Sequence, residues 1–182
     1  MLDTTHLIRT LDELTEHYSA PRQSSLDKTH DSLTESMRRW LSHSPFFVLS
    51  SFNANGIDSS PRGDAPGTAF HILDAKHLAI PDRRGNNRID TLKNIINDSR
   101  VGLVFLIPGV EETLRIRGNA CISVDPALLR QSQHEGIEPA TVIVVEINSA
   151  YVQNARAIRK ADLWNNDALD TSLIPKPRDL YK

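Results

Sequence analysis

The chain has 182 residues, of which 39% are hydrophobic and 24% charged, and its formal net charge is −2. This length and composition are typical of one globular domain and exclude a disordered or fibrous chain. A slightly acidic protein has no overall basic field, so nucleic acid is not an expected partner and any anion site must be local.

The cysteine content and the length of the apolar runs indicate the cellular compartment of the protein. Cys121 is the single cysteine, which excludes an internal disulfide and a multi-cysteine metal site. We expect it to be buried, because free cysteine behaves as a small apolar residue. The longest apolar runs are too short to span a bilayer, and the first residues form no signal region. We therefore predict a cytoplasmic protein without a membrane partner, folded as a single domain over residues 1–182.

The first 44 residues predict an N-terminal helical segment. Apolar residues recur there at helical spacing in two stretches, Leu7, Ile8, Leu11 and Leu14 in the first and Met37, Trp40 and Leu41 in the second. Turn residues around Pro21 separate the stretches, because the residue before a proline disfavours the helical conformation. Two short helices are predicted, and Pro45 ends the second.

From Phe46 onward the sequence predicts strands. Residues 46–52 are rich in aromatic and branched side chains, and the turn residues 53–56 that follow predict a hairpin with a returning strand over 57–60. Further strands are predicted over 69–73, 77–80, 101–107, 113–124 and 141–147, and helices over 88–97 and 125–134. This succession predicts a mainly β fold with flanking helices, an antiparallel barrel over 45–150, and a C-terminal segment over 151–182.

The segment 82–88, Asp-Arg-Arg-Gly-Asn-Asn-Arg, immediately precedes a predicted helix and indicates an anion site. Free N–H groups and the helix dipole favour a bound phosphate, Gly85 lets the backbone approach it, and arginine donates bidentate hydrogen bonds. The alternative is that Asn87 merely caps the helix while the arginines are solvated.

A second candidate surrounds Arg62, at a predicted strand end between Pro61 and Gly63. We expect Asp64 to orient Arg62 through a carboxylate–guanidinium pair. The alternative is an exposed turn with an ordinary surface ion pair, which contributes at most about 1 kcal/mol.

A third arginine cluster lies on the predicted strand over 113–124. Thr113, Arg115 and Arg117 alternate with apolar residues and therefore share one face of the strand. Two arginines on one face need anionic partners. Those partners are either Glu111 and Glu112 of the preceding loop or a bound anion.

Five segments, taken in order, resemble the pyridoxamine 5′-phosphate oxidase-related FMN-binding proteins: residues 46–51, 58–64, 78–83, 85–92 and 114–120. The likeness is closest to a subgroup that carries Ser-Pro-Arg-Gly-Asp, here residues 60–64, and Gly-Asn-Asn-Arg, here residues 85–88. It covers about residues 5–165. The resemblance implies an antiparallel split β-barrel that binds FMN at the interface of a homodimer.

The resemblance also implies which residues contact the cofactor. Arg62, Asn87 and Arg88 correspond to phosphate-binding positions, Ile80 and Pro81 to the strand end beside the flavin ring, and Thr113 and Arg115 to a strand that faces the cofactor. Their neighbours Ser60, Asp64, Arg84 and Asn86 complete the expected set. The C-terminal tail does not reproduce the motif that holds vitamin B6, so oxidation of that vitamin is not expected.

These features predict an FMN-dependent oxidoreductase that acts on a small molecule, with the flavin supplying the redox chemistry. No catalytic residue is assigned. No metal site is expected, because His43, His71 and His77 lack the spacing of metal ligands. The alternatives are a carrier or sensor that binds FMN without turnover, and a barrel of the same kind that accepts a deazaflavin or haem.

Overall fold

The computed structural model describes residues 3–21, 23–83, 85–154, 156–165, 172, 174–176 and 179–180. Its helices are α1 (Leu11–Thr15), α2 (Gln23–Leu26), α3 (Glu35–Leu41), α4 (Asp90–Asn97), α5 (Pro126–Gln131) and α6 (Arg156–Lys160). Its strands are β1 (Thr29–His30), β2 (Phe46–Asn53), β3 (Gly56–Gly63), β4 (His71–Ile72), β5 (His77–Pro81), β6 (Arg100–Leu106), β7 (Thr113–Ser123) and β8 (Val142–Gln153). Within these ranges no helix has the length and apolar character of a membrane span.

The strands form one antiparallel sheet in the order β3-β2-β6-β7-β8-β5-β4, and the short β1 pairs with β8. The predicted hairpin is confirmed: β2 and β3 pair from Phe46 with Gly63 to Asn53 with Gly56. Gly56 has a φ of 130°, which a residue with a side chain rarely adopts. The sheet and the few helices around it confirm a mainly β fold.

The core brings the two ends of the sheet order together. Phe47 of β2, Phe105 of β6 and Phe70, which directly precedes β4, form an aromatic cluster with ring centroids 4.9 to 5.7 Å apart. Because β2 lies next to one end of the order and β4 forms the other end, these contacts require the sheet to curl around the core. The fully buried side chains around the cluster include Leu41, Leu49, Leu78, Leu103, Leu114, Ile116 and Ile143.

The N-terminal segment departs from the prediction of two helices. Its described residues contain three short helices, and β1 lies between the second and the third. No residue of α1 is buried, and Leu11 is 78% exposed. Short helices gain most of their stability from packing an apolar face, so the spacing of leucines alone did not produce a long helix here.

Several element boundaries and one predicted burial also differ from the sequence-based expectation. Helix α4 begins at Asp90 instead of Arg88, because Asn87 and Ile89 have positive φ. Ile96 of this helix is 76% exposed. Strand β8 runs to Gln153, six residues past the predicted end at 147. The burial predicted for Cys121 is wrong as well, because the residue alternates with buried neighbours on β7 and faces outward.

Candidate functional site

A cleft of about 810 Å³ lies between β3, residues 82–83 and 85–92, and the loop 138–140. Its volume is within the range of small-molecule sites, about 300–1,000 Å³. Five of the residues assigned to the cofactor from the sequence line it together: Ser60, Arg62, Asn86, Asn87 and Arg88. The strand end and the arginine-rich segment, which are separate motifs in the sequence, therefore form one site.

The start of α4 forms one wall of this cleft. Ile89 occupies the N-cap position with a φ of 51° and makes no side-chain cap hydrogen bond. The interpretation of Asn87 as the cap is therefore wrong. Thr91 and Leu92 of the first turn line the cleft, where N–H groups of an uncapped helix are available to an anion. A β-branched residue with positive φ is strained, and such strain is concentrated at ligand sites.

Two ion pairs join the end of β3 to the residues that follow β5. Arg62 Nη1 lies 3.5 Å from Asp82 Oδ1, and Arg83 Nε lies 3.3 Å from Asp64 Oδ2. The predicted pair between Asp64 and Arg62 is wrong. The carboxylate of Asp64 turns instead to the N–H of Ala65, at 2.8 Å, and to Arg83. Each acid thus meets an arginine across the curled sheet, and the pairs hold the cleft walls together.

Arg83 is held from three sides. Besides Asp64, its guanidinium donates from Nη1 to the carbonyl of Ser132 at 2.8 Å and from Nη2 to the carbonyl of Thr68 at 3.2 Å. Burial acts to raise the pKa of Asp64, but the Ala65 N–H and the Arg83 charge outweigh it, so this pKa lies below its ordinary value. Arg83 therefore belongs to the framework of the cleft.

Arg62 and Arg88 have fewer polar contacts with the rest of the protein than Arg83 has. Arg62 Nε, like Arg83 Nε, is buried and has no hydrogen-bond partner among the described residues, but Arg62 lacks the two carbonyl acceptors of Arg83 and only its Nη1 faces an acid, Asp82. Arg88 is 74% exposed, and its Nε donates to Asp90 at 2.8 Å. Such an exposed pair is stabilised by less than about 1 kcal/mol, so the Arg88 side chain can exchange its partner.

Five of the remaining candidates do not line the cleft. Ile80 and Pro81 are buried in β5, in register with Ile143 and Val142 of β8. Thr113 is buried and Arg115 exposed on β7, away from the cleft. Asp64 holds Arg83 without lining the cleft itself. Arg84 lies outside the residues that the structure describes.

The arginines of β7 have neutral partners. Arg115 donates to Gln153 Oε1 at 3.0 Å and lies over the ring of Tyr151, and Arg117 donates to Ser149 Oγ at 3.1 Å. Glu111, which was one possible partner, pairs with Arg159 at 3.7 Å. The outer face of β7 thus presents two arginines that are not neutralised by Glu111.

Sequence reasoning missed the acidic residues of the cleft. Asp58, Asp82, Asp90 and Glu138 line it together with the arginines. Asp82 and Asp90 flank the arginine-rich segment, and that spacing was a usable signal for ion pairs. No local signal indicated Glu138, because its loop reaches the cleft only through the fold. Among the described residues, no group of three His, Cys, Asp or Glu is arranged to hold a metal ion.

Several solved structures share this fold. HupZ of Group A Streptococcus superposes with a TM-score of 0.55 at 16% identity, over 68% of this chain and 95% of HupZ. A candidate pyridoxamine 5′-phosphate oxidase of Lactobacillus delbrueckii gives 0.53 at 19% identity, over 67% and 95%. General Stress Protein 26 of Bacillus anthracis gives 0.51 at 16% identity, over 67% and 94%. These likenesses confirm the predicted split β-barrel.

Sequence comparison identifies the family of the chain. No curated protein matches it. The family model of pyridoxamine 5′-phosphate oxidase, however, matches residues 33–154, which is well over half of the 182 residues. The chain therefore belongs to the pyridoxamine 5′-phosphate oxidase family.

Proposed function

We propose that the chain binds FMN and that the cleft holds the phosphate of this cofactor. The observation that carries the proposal is the meeting of Arg62 and Arg88 with the uncapped start of α4 in one cleft. Guanidinium groups and helix N–H groups are the donors that phosphate prefers in proteins.

The donor chemistry of the cleft fits a phosphate. Arg62 Nε is a buried donor without an acceptor, and a buried unpaired donor of this kind costs about 1–3 kcal/mol. A phosphate oxygen would satisfy it. The main-chain N–H of Arg88 already donates to Asn86 Oδ1, so the backbone of the segment is fixed while its side chains face the cleft.

The role of the chain is to bind and orient the cofactor, and the flavin supplies the redox chemistry when it is bound. Arg62 and Arg88 bind the phosphate, Ser60 offers a hydroxyl, and Asn86 and Asn87 offer amides to the adjacent polar part of the ligand. Arg83 keeps β3 and the residues after β5 at a fixed separation.

We further propose a homodimer in which the outer face of the sheet lies at the subunit interface. Val48 and Val104 are half-buried on this face, in register with Arg115 and Tyr151 of the next strands. An apolar row flanked by arginines that have no acidic partner in the described part of the chain suits an interface that includes an anionic cofactor. Thr113 and Arg115 would then serve the cofactor bound mainly by the partner subunit.

The binding proposal is tested by two substitutions. We expect Arg62→Ala and Arg88→Ala each to weaken FMN binding by about 10- to 150-fold, because a charge-assisted hydrogen bond contributes about 1.5–3 kcal/mol. Flavin fluorescence quenching measures the affinity. The affinity for riboflavin, which lacks the phosphate, should change little in either variant.

The matched control is Arg100→Ala. Arg100 is exposed and pairs with Asp98 two residues away, as Arg88 does with Asp90, but it does not line the cleft. Its removal should leave FMN affinity unchanged. Full affinity in both cleft variants would contradict the assignment of the phosphate. Purified protein that remains colourless with added FMN, or that shows a deazaflavin or haem spectrum, would contradict the choice of cofactor.

For the flavin-loaded protein, we propose an oxidoreductase that acts on a small molecule, and the alternative is a carrier or sensor. Anaerobic mixing with a reduced nicotinamide, followed by flavin absorbance, distinguishes the two. Reduction followed by reoxidation with small-molecule acceptors supports the enzyme. Complete flavin occupancy without reduction by either nicotinamide supports the carrier.

A further inference from the structure

The three described arginines of the cleft differ in how they are held. Arg83 has two carbonyl acceptors and one carboxylate. Arg62 and Arg88 each face a single aspartate, and both aspartates line the same cleft. Any anion that uses Arg62 or Arg88 must therefore compete with a carboxylate of the protein itself.

The Arg88–Asp90 pair is built so that it can open. The Asp90 side chain is 42% exposed, and Asp90 is the first residue of α4. The backbone of Arg88 is fixed separately, since its N–H donates to Asn86 and its carbonyl accepts from Lys93 Nζ at 3.0 Å. Opening the pair therefore moves the guanidinium without disturbing the segment.

We infer that Asp90 is a built-in competitor of the ligand phosphate for Arg88, and that it lowers the affinity of the cleft for phosphate-bearing ligands. This inference rests on the proposed function, because it concerns the same site. A ligand phosphate must break the Arg88–Asp90 pair to reach the guanidinium and then lies near the Asp90 charge, and both effects oppose its binding.

The test is Asp90→Asn, which keeps the side-chain shape and removes the charge. We expect FMN affinity to rise about 2- to 10-fold, because an exposed pair and the repulsion of a nearby like charge are each modest effects. Riboflavin affinity should not change. Asp98→Asn is the matched control, since it breaks the Asp98–Arg100 pair outside the cleft and should leave both affinities unchanged.

A double-mutant cycle shows whether Asp90 acts through Arg88. In an Arg88→Ala background, Asp90→Asn should lose most of its gain. An equal gain in both backgrounds would mean that Asp90 acts only through its general field, and would overturn the inference. A fall in FMN affinity on Asp90→Asn, with the thermal midpoint unchanged, would also overturn it.

The failure of this inference is distinguishable from failure of the proposed function. If the wild-type chain does not bind FMN, a titration with inorganic phosphate, read from the NMR signal of Arg88 Nε, still tests Asp90. Phosphate must then bind more tightly to Asp90→Asn than to the wild type. Equal phosphate affinity would overturn the inference whatever the cofactor is.

Discussion

At the scale of residues, His71 shows how the framework of the cleft is coupled to pH. Its Nε2 is buried and has no partner among the described residues. Burial, and secondly the charge of Arg83, lower the pKa of His71 from its ordinary value of 6.5. The folded protein therefore favours the neutral imidazole, because a proton there would be poorly solvated and would face a fixed arginine.

We expect this residue to make the protein less stable in mild acid. Below about pH 6.5 the unfolded chain binds a proton at His71 that the folded chain resists, so the free energy of unfolding falls as the pH decreases. Above that pH both states are neutral and the effect disappears. Denaturant unfolding from pH 5 to 8 measures it, and His71→Gln should show a shallower fall than the wild type. Identical pH profiles would refute the role of His71.

The sequence predicted the kind of ligand site better than it predicted which charged residues form ion pairs there. Arginine, glycine and asparagine before a helix indicated an anion site because the donors are local. The choice of Arg83 instead of Arg62 as partner for Asp64 was not predictable, since it depends on how β3 meets the residues after β5. The prediction paired Arg62 with Asp64 inside one segment, whereas each of them pairs with a residue that follows β5.

At the scale of elements, turn chemistry predicted the β2–β3 hairpin and a helix from residue 125, close to the observed start of α5 at Pro126, because both are decided by neighbouring residues. Strand β1 was not predicted. A two-residue strand has no periodicity, and only its pairing with Tyr151 and Ala150 of β8 defines it. Long-range pairing also extends β8 to Gln153, beyond its continuous apolar run.

Strands β7 and β8 approach each other closely at Gly118. The register of β7 and β8 shifts there, so that Asn148 has no partner on β7. A Cβ on Gly118 would overlap the carbonyl oxygen of Glu146 and would come within 3.1 Å of Val145 Cγ1. The bulge therefore requires glycine for space, and this position links the two longest strands of the sheet.

We expect Gly118→Ala to destabilise the protein by about 1–3 kcal/mol, because the backbone must move to accept one methyl group. Gly102→Ala is the matched control. Gly102 also lies inside a strand, but its added Cβ would meet only Ser50 Cβ at 4.0 Å, an ordinary contact. Chemical denaturation of both variants measures the difference. Equal stability of the two would show that the bulge relaxes without cost.

At the scale of the whole molecule, closure of the sheet creates the cleft. The sheet order begins with β3 and ends with β4, next to β5, yet the Arg62–Asp82 and Asp64–Arg83 pairs join β3 to the residues after β5. The aromatic cluster makes the same connection in the core. The number and kind of strands indicated a barrel, but the residues that close it became visible only in three dimensions.

Phe70 is the test of this closure, because it packs edge-on against both Phe47 and Phe105 and is 6% exposed. We expect Phe70→Ala to lower the free energy of unfolding by about 3–5 kcal/mol, the range for an aromatic side chain removed from a core. Phe52→Ala is the control, since Phe52 is only partly buried near the hairpin turn. This substitution should lower the free energy of unfolding by less than Phe70→Ala does. Because the same closure forms the cleft, Phe70→Ala should also weaken FMN binding at temperatures where the variant is still folded, whereas Phe52→Ala should not. A large loss of stability with unchanged FMN affinity would show that the ion pairs alone maintain the cleft.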